Sequence, residues 1–415
     1  MSSAPRRVAI TGIGIVSPLG NSLSEFHRAL LESRSGIGLL PPEMLVTAGA
    51  LVAARIADWS PAPLLKEGEA ANLDRGTQFA LVAADQAIAM SQLDLAGCDR
   101  ERIGVYWGTG MGGANTLDAA FRQVYEKKDA RLRPLSVVMA MNNAAGSNVA
   151  VRFGLRGPFA NFATACSSSA MALGEAMRCI QAGRADAAVA GGSEALLTPG
   201  TIAAWQALRT LAAVNTEQPA ASCRPFDKRR SGLVLGEGAA AFLLEEESQA
   251  RARGAKILAL LTGYGNSCDA VHMSRPDRDG QVRAMRFALA EAGLAAQDIG
   301  YINAHGTATA VGDVVEAEAI NQVFGDAASR VPVSSTKSMH GHLLGGAGAI
   351  EMASAMLPFL ESMLPPTAHL DEPDPACALR HVTRAERVEP PRAVMSNSFA
   401  FGGSNVVLVA ENAGQ

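Results

Sequence analysis

Cys166 stands in Ala163-Thr164-Ala165-Cys166-Ser167-Ser168-Ser169, between an extended segment and the helical pattern AMALGEAMRCIQAG. A thiol at a helix start feels the positive end of the helix dipole, which favours the thiolate. Its small neighbours leave room for a substrate carbonyl, and N–H groups of the turn can hold an oxyanion. The plainer reading is a buried cysteine beside a serine cap, and this stretch alone does not decide between them.

Two further stretches bring imidazoles. In Asn303-Ala304-His305-Gly306-Thr307-Ala308-Thr309, the segment YINAH reads as a strand end that presents His305, with Gly312-Asp313 and Glu316 behind it. An imidazole there can donate to a reacting oxygen or stabilise a carbanion. Glycine and threonines beside it suit a narrow tunnel for a polar, flexible arm. The second stretch is Ser335-Thr336-Lys337-Ser338-Met339-His340-Gly341-His342, leading into LLGGAGAIEMASAML with Glu351. Its His-x-His pair lacks a third ligand at a zinc spacing, so the expectation is no metal. A lysine near two imidazoles, balanced by an acid, fixes protonation states instead.

The last stretch, Ser396-Asn397-Ser398-Phe399-Ala400-Phe401-Gly402-Gly403-Ser404-Asn405, is glycine-rich with two phenylalanines. It reads as a tight turn with core aromatics, or as a mobile lid aiming one N–H at the site. Gly108-x-Gly110-x-x-Gly113 follows a strand and precedes a helix, the outline of a dinucleotide fingerprint. The acidic residue expected about 20 positions later is replaced by the loop KKDARLRP, which argues against a reductase.

The elements that must position these groups alternate between strand and helix, predicting an α/β protein. VAITGIGIV is a buried strand, and SLSEFHRALLES is an amphipathic helix opening on a Ser22–Glu25 capping box. A Gly-rich bend at Thr11–Gly14 has a counterpart at Thr262–Gly265, and each half later places a small-residue segment before a helix. This pattern suggests a duplicated unit with the site where the halves meet. The chain has 415 residues, 48% hydrophobic and 18% charged, enough for one large or two medium domains. A net charge of −4 offers no global field for nucleic acid or an anionic membrane, and no apolar run reaches the ~18 residues of a span. Six scattered cysteines without a paired spacing fit a reducing, cytoplasmic setting.

Together, the four stretches make the chain resemble the β-ketoacyl-acyl-carrier-protein synthases, most closely the type II elongating enzymes and their polyketide relatives. The likeness runs from VAITGIGIVSPLG through RPFDKRRSGLVLGEGAAAFLLEE to NSFAFGGSN. It implies a thiolase fold, a duplicated five-layer αβαβα arrangement, with halves at residues 1–254 and 255–415, and usually a homodimer. It also implies acyl transfer onto Cys166, then decarboxylative condensation with malonyl-acyl-carrier protein, without metal or nucleotide cofactor. His305 and His342 would promote decarboxylation, supported by Lys337 with Glu351 as a structural acid. The N–H groups of Cys166 and Phe401 would form the oxyanion hole, and Thr307 and Thr309 would hold phosphopantetheine. The acidic carrier protein would dock on a basic surface, for which Lys127, Lys128, Arg131, Arg133 and Arg209 are the candidates.

Three positions depart from the family pattern: Ala400 for glycine, Ala310 for proline, and His340 for an apolar residue or threonine. They leave a polyketide or aryl-polyene synthase as the main alternative. A silent chain-length-factor partner is weakened by the intact Cys166, and a CoA-dependent thiolase by the lack of a reactive context around Cys377.

Overall fold

A computed structural model describes residues 6–46 and 49–414. Eleven strands form its main sheet: β1 (Val8–Val16), β2 (Ile103–Gly108), β3 (Phe159–Phe162), β4 (Ala187–Glu194), β5 (Gly238–Glu246), β6 (Ala259–Cys268), β7 (Ile299–Asn303), β8 (Pro332–Ser334), β9 (Arg380–His381), β10 (Ala393–Phe399) and β11 (Ser404–Glu411). Their order is β9-β8-β7-β10-β11-β6-β1-β5-β4-β2-β3.

The order contains a repeat. From β1 outward, β5 and then β4 pair antiparallel, followed by β2 and β3 in parallel. From β6 outward, β11 and then β10 pair antiparallel, followed by β7 and β8 in parallel. The two series join where Val8–Ile10 pairs antiparallel with Ala259–Leu261.

Side-chain alternation separates the layers. On β5, Ala240, Phe242 and Leu244 enter one core, while Ala239, Ala241 and Leu243 enter another. On β11, Val406, Leu408 and Ala410 join the first core, whereas Val407 and Val409 face a third. A bulge between Ile10 and Gly12 shifts the phase of β1 by one residue, so Val8, Ile10, Ile13 and Ile15 share a face.

The central core holds two helices, α2 (Ser168–Gln181) and α5 (Ala347–Ala355), each packed on strands from both series. Every residue of α5 is buried. Outside lie α1 (Arg75–Ser91) against the first series, and α3 (Arg278–Ala292) with α4 (Gly312–Phe324) against the second. Helix, sheet, helix, sheet and helix thus give the five layers.

The repeated Thr-Gly-x-Gly segments are not bends, as the sequence suggested, but the middles of β1 and β6. A Cβ at Gly12 or Gly14 would run into the Ala87 or Ala83 carbonyl of α1. A Cβ at Gly263 or Gly265 would meet Ala288 or Ala284 of α3 in the same way. Glycine here lets a helix backbone lie directly on a strand. The helix Leu23–Leu31 forms as expected, with Ser22 capping the Glu25 N–H. The return bond of the box is displaced, however: the Glu25 carboxylate accepts from the Asn21 N–H at 3.0 Å.

His27, on that helix, is buried with Nε2 3.1 Å from the Ala353 carbonyl. Burial pushes its pKa from 6.5 down to about 4. The unfolded chain therefore takes up this proton near pH 6.5 and the folded chain only near pH 4, so stability is lost as pH falls between them. In His27→Gln, unfolding free energies at pH 4.5, 5.5 and 6.5 should lose a slope approaching 1.4 kcal/mol per pH unit relative to the parent. An unchanged slope would remove His27 from the acid response.

Candidate active site

Cys166 lies in the short helical turn Ala165–Ser167 that leads directly into α2, so the thiol sits at the start of the central helix. The preceding residue, Ala165, has a φ of 50°, a left-handed conformation that makes the turn sharp. Ser168 ties the turn together, its hydroxyl accepting from the Thr164 N–H at 2.9 Å and donating to the Ala165 carbonyl at 2.7 Å. The surroundings of the thiol are apolar, including Leu197, Ile202 and Leu344. Here the structure corrects the sequence reading. Burial pushes the Cys166 thiol up to about 12, and the Lys337 charge and the Phe401 N–H pull it back only in part. At rest Cys166 is therefore the thiol, despite the helix dipole.

Both imidazoles converge on it. His342 places Nε2 3.0 Å from Sγ. The His305 and His342 ring centroids are 5.3 Å apart with planes at 83°. The backbone of His342 is held by a neighbouring extended segment, its N–H donating to the Val234 carbonyl at 2.7 Å and its own carbonyl accepting from Gly236 at 2.9 Å. His305 follows the end of β7, and Glu316 on α4 accepts from the His305 and Gly306 N–H groups at 2.8 and 2.7 Å. Lys337 is buried against Glu351 in an ion pair. It donates to the His305 carbonyl at 2.6 Å and lies 3.3 Å from His305 Nδ1.

These contacts assign protons. An ammonium only donates, so His305 Nδ1 must accept and the ring proton sits on Nε2. His342 Nδ1 has no hydrogen-bond partner among the described residues. A bare buried acceptor costs less than a bare buried N–H, which puts the His342 proton on Nε2 as well. Burial first, then the Lys337 charge, holds both rings well below 6.5, so both are neutral near pH 7. Two neutral N–H donors facing one point can bracket a developing oxyanion.

The third ligand group that the sequence spacing lacked is supplied by the fold: donor atoms of Cys166, His305 and His342 lie within 4.8 Å of one another. The Lys337 ammonium touching His305 opposes a second cation there. His340 does not belong to this trio; it bonds Thr336 and Gly341 instead.

A cavity of about 300 Å³ opens onto Cys166, His305 and His342. Thr307 and Thr309 line it with their hydroxyls 3.1 Å apart, and Arg209 lies at its wall. Phe401 stacks on Trp205, with ring centroids 6.0 Å apart and planes at 22°. The loop after Phe401 is tied to the facing loop through Gly402 N–H to Met273 O at 2.7 Å and Asp269 N–H to Gly403 O at 2.8 Å. Lys127, Lys128, Arg131 and Arg133 are exposed and away from this cavity; Arg131 pairs with Asp129, and Arg133 donates to the Ala71 carbonyl.

Sequence reading missed Glu194. Its buried carboxylate accepts from the N–H groups of Gly110, Met111 and Gly345 at 2.6, 3.3 and 3.0 Å. The glycine loop that imitates a nucleotide fingerprint is thus filled by an acid of the same chain. Burial raises Glu194 to about 7 while those donors pull it down. The available signal was an acid closing the small-residue strand AVAGGSE.

The chain matches the β-ketoacyl synthase N-terminal domain over residues 5–250 and the β-ketoacyl synthase C-terminal domain over residues 258–371. It belongs to the β-ketoacyl synthase family. It is 39% identical over 405 residues to a 3-oxoacyl-[acyl-carrier-protein] synthase 2 of Synechocystis, covering 97% of each chain. The synthase 2 of Coxiella burnetii is 40% identical, over 97% of this chain and 98% of the other. Among solved structures, a β-ketoacyl synthase from Burkholderia phymatum superposes with a TM-score of 0.90 at 34% identity, over 98% of this chain and all of that one. The ishigamide ketosynthase/chain length factor gives 0.91 at 31%, over 99% and 100%. The duplicated five-layer arrangement is the thiolase fold.

With His305 and His342 both neutral, malonyl decarboxylation should be flat from about pH 6 to 8, with its acid limb well below 6.5. A rate that climbs as pH falls through 6.5 would show that an imidazolium is the active form. Carbon dioxide release across this range, with stability monitored in parallel, makes the distinction.

Proposed function

We propose that this chain elongates acyl groups by decarboxylative Claisen condensation, joining an acyl-enzyme thioester to malonyl-acyl-carrier protein to give 3-oxoacyl-acyl-carrier protein. The observation that carries this reading is one thiol at a helix start with a ring nitrogen of each of two neutral imidazoles within 4.8 Å of it. Such a site can hold an acyl group and an enolate side by side.

In the first half-reaction the Cys166 sulfur attacks the acyl thioester. The N–H groups of Cys166 and Phe401 receive the carbonyl oxygen, and the thiol proton ends on the departing pantetheine sulfur. In the second, the malonyl carboxylate leaves as carbon dioxide, its bonding electrons pass to the enolate, and His305 and His342 donate to the thioester oxygen. The enolate carbon then attacks the acyl-cysteine, releasing Cys166 as thiolate to recover a proton. Thr307 and Thr309 hold the pantetheine arm at the cavity wall. Lys337 and Glu351 orient His305 without touching substrate.

Fatty-acid elongation is favoured over a polyketide or aryl-polyene role by about 40% identity to the synthases 2, against 31% to the ishigamide protein. Pairing with a second copy is supported by terminal strand β3, on which Phe159 is exposed, and by exposed Phe121, Tyr125, Val137 and Val138 on two helices that touch each other. Exposed apolar patches mark protein interfaces. No helix among the described residues is long and apolar enough to cross a membrane.

Cys166→Ala should abolish acyl-enzyme formation and condensation while leaving thermal unfolding close to the parent, whereas Cys166→Gln should keep malonyl decarboxylation. Mass spectrometry of the acyl-enzyme and of condensation products reads both, and condensation by the alanine variant would contradict the mechanism. For the carrier, Arg131→Glu with Arg209→Glu should raise KM for carrier-bound substrates and flatten its salt dependence, sparing small thioester mimics. Unchanged carrier kinetics would take both residues out of the docking surface.

A further inference from the structure

We propose that His340 is a positioning residue whose ring ties the residue before Lys337 to the residue before His342, fixing how those two groups stand to each other. The inference rests on the condensing reading of the site.

His340 ends the four-residue helix Lys337–His340 and is fully buried. Its Nδ1 lies 2.8 Å from the Gly341 carbonyl and its Nε2 2.9 Å from the Thr336 hydroxyl. A carbonyl only accepts, so Nδ1 carries the proton, and Nε2 of the neutral ring accepts from Thr336. Burial and the Lys337 charge hold the ring neutral, pushing it down to about 3. The ring thus spans the helical turn from the residue before its start to the residue after its end.

The far end matters most. Gly341 has a φ of 68° and a ψ of −169°, and a Cβ there would come 2.8 Å from Ala54 Cβ. The Gly341–His342 peptide is gripped on both sides: its N–H by the Val234 carbonyl and its carbonyl by His340. At the near end, Thr336 also receives Asn303 Nδ2 at 3.4 Å, which links the turn to the β7 strand end that carries His305. A threonine or aliphatic side chain at 340 is too short to reach both Thr336 and Gly341. His340 therefore joins the Thr336 side chain to the Gly341–His342 peptide.

The test compares His340→Phe, which keeps ring volume and loses both hydrogen bonds, with His340→Gln, whose amide can donate to Gly341 and accept from Thr336. Carbon dioxide release from malonyl-carrier protein is measured and divided by the fraction of Cys166 that takes up an acyl group, so misfolded protein drops out. The phenylalanine variant should lose about 10- to 100-fold in kcat, as a misplacement of about an ångström does, with KM changed less than about twofold. Glutamine should recover most of the loss, and adding Thr336→Val to His340→Phe should cost little more.

A kcat per acylatable site within about twofold of the parent, or glutamine no better than phenylalanine, overturns the proposal. If the phenylalanine variant does not fold, Thr336→Val alone decides: a several-fold fall in kcat at constant KM supports the coupling, and an unchanged kcat overturns it. An unaltered protein that releases no carbon dioxide would instead bring down the condensing reading, independently of His340.

Discussion

A lysine ammonium buried against a glutamate is the constraint around which this site is built. Lys337 and Glu351 are both essentially inaccessible. Removing one partner of such a pair costs about 3–5 kcal/mol, because the other is left charged in an apolar setting. The pair can stand there because the ammonium has further acceptors in the carbonyl and Nδ1 of His305. Those contacts fix the tautomer of His305, and the same charge helps keep His342 neutral. The His305 tautomer thus follows from one ion pair outside the reacting atoms, while burial contributes most to keeping both rings neutral.

The acid of that pair lies in a core that the two halves of the chain share. Glu351 belongs to α5, which lies beside α2, the helix that begins just after Cys166. Ser169 of α2 accepts from the Ala349 N–H of α5 at 2.9 Å, and Glu194 of β4 accepts from Gly345 just before α5. Cys166 therefore comes from one half and the imidazoles from the other, held by hydrogen bonds across the central layer. The glycines of β1 and β6 contribute at a distance, drawing α1 and α3 onto the sheet and keeping the outer layers close.

Much of this was legible in the sequence, for identifiable reasons. Cys166, His305, Lys337, His342 and Glu351 sit in stretches of small residues between regular elements, and the fold brings all five together. β5 and β11 are apolar on both faces, so their sequences showed buried strands but not which layer each side chain enters. What was not legible depends on contacts between distant residues. Nothing local to Cys166 shows that apolar side chains from several segments surround it and raise the thiol. Nothing local to Gly108–Gly113 shows that Glu194, some 80 positions on, occupies the anion place of that loop. The Thr-Gly-x-Gly segments were found as a repeat but taken for bends, since a glycine that turns and a glycine that admits a neighbouring helix look alike in one dimension. His340 stood out in the sequence, yet its function appears only once both ring nitrogens have partners.

The most direct test of the ion-pair account is the protonation state of His305, read by nitrogen-15 NMR of imidazole-labelled protein at pH 7. The expected result is a neutral ring with its proton on Nε2, losing that fixed tautomer in Lys337→Met. An imidazolium at pH 7, or a neutral ring protonated on Nδ1 in the unaltered protein, would contradict the account.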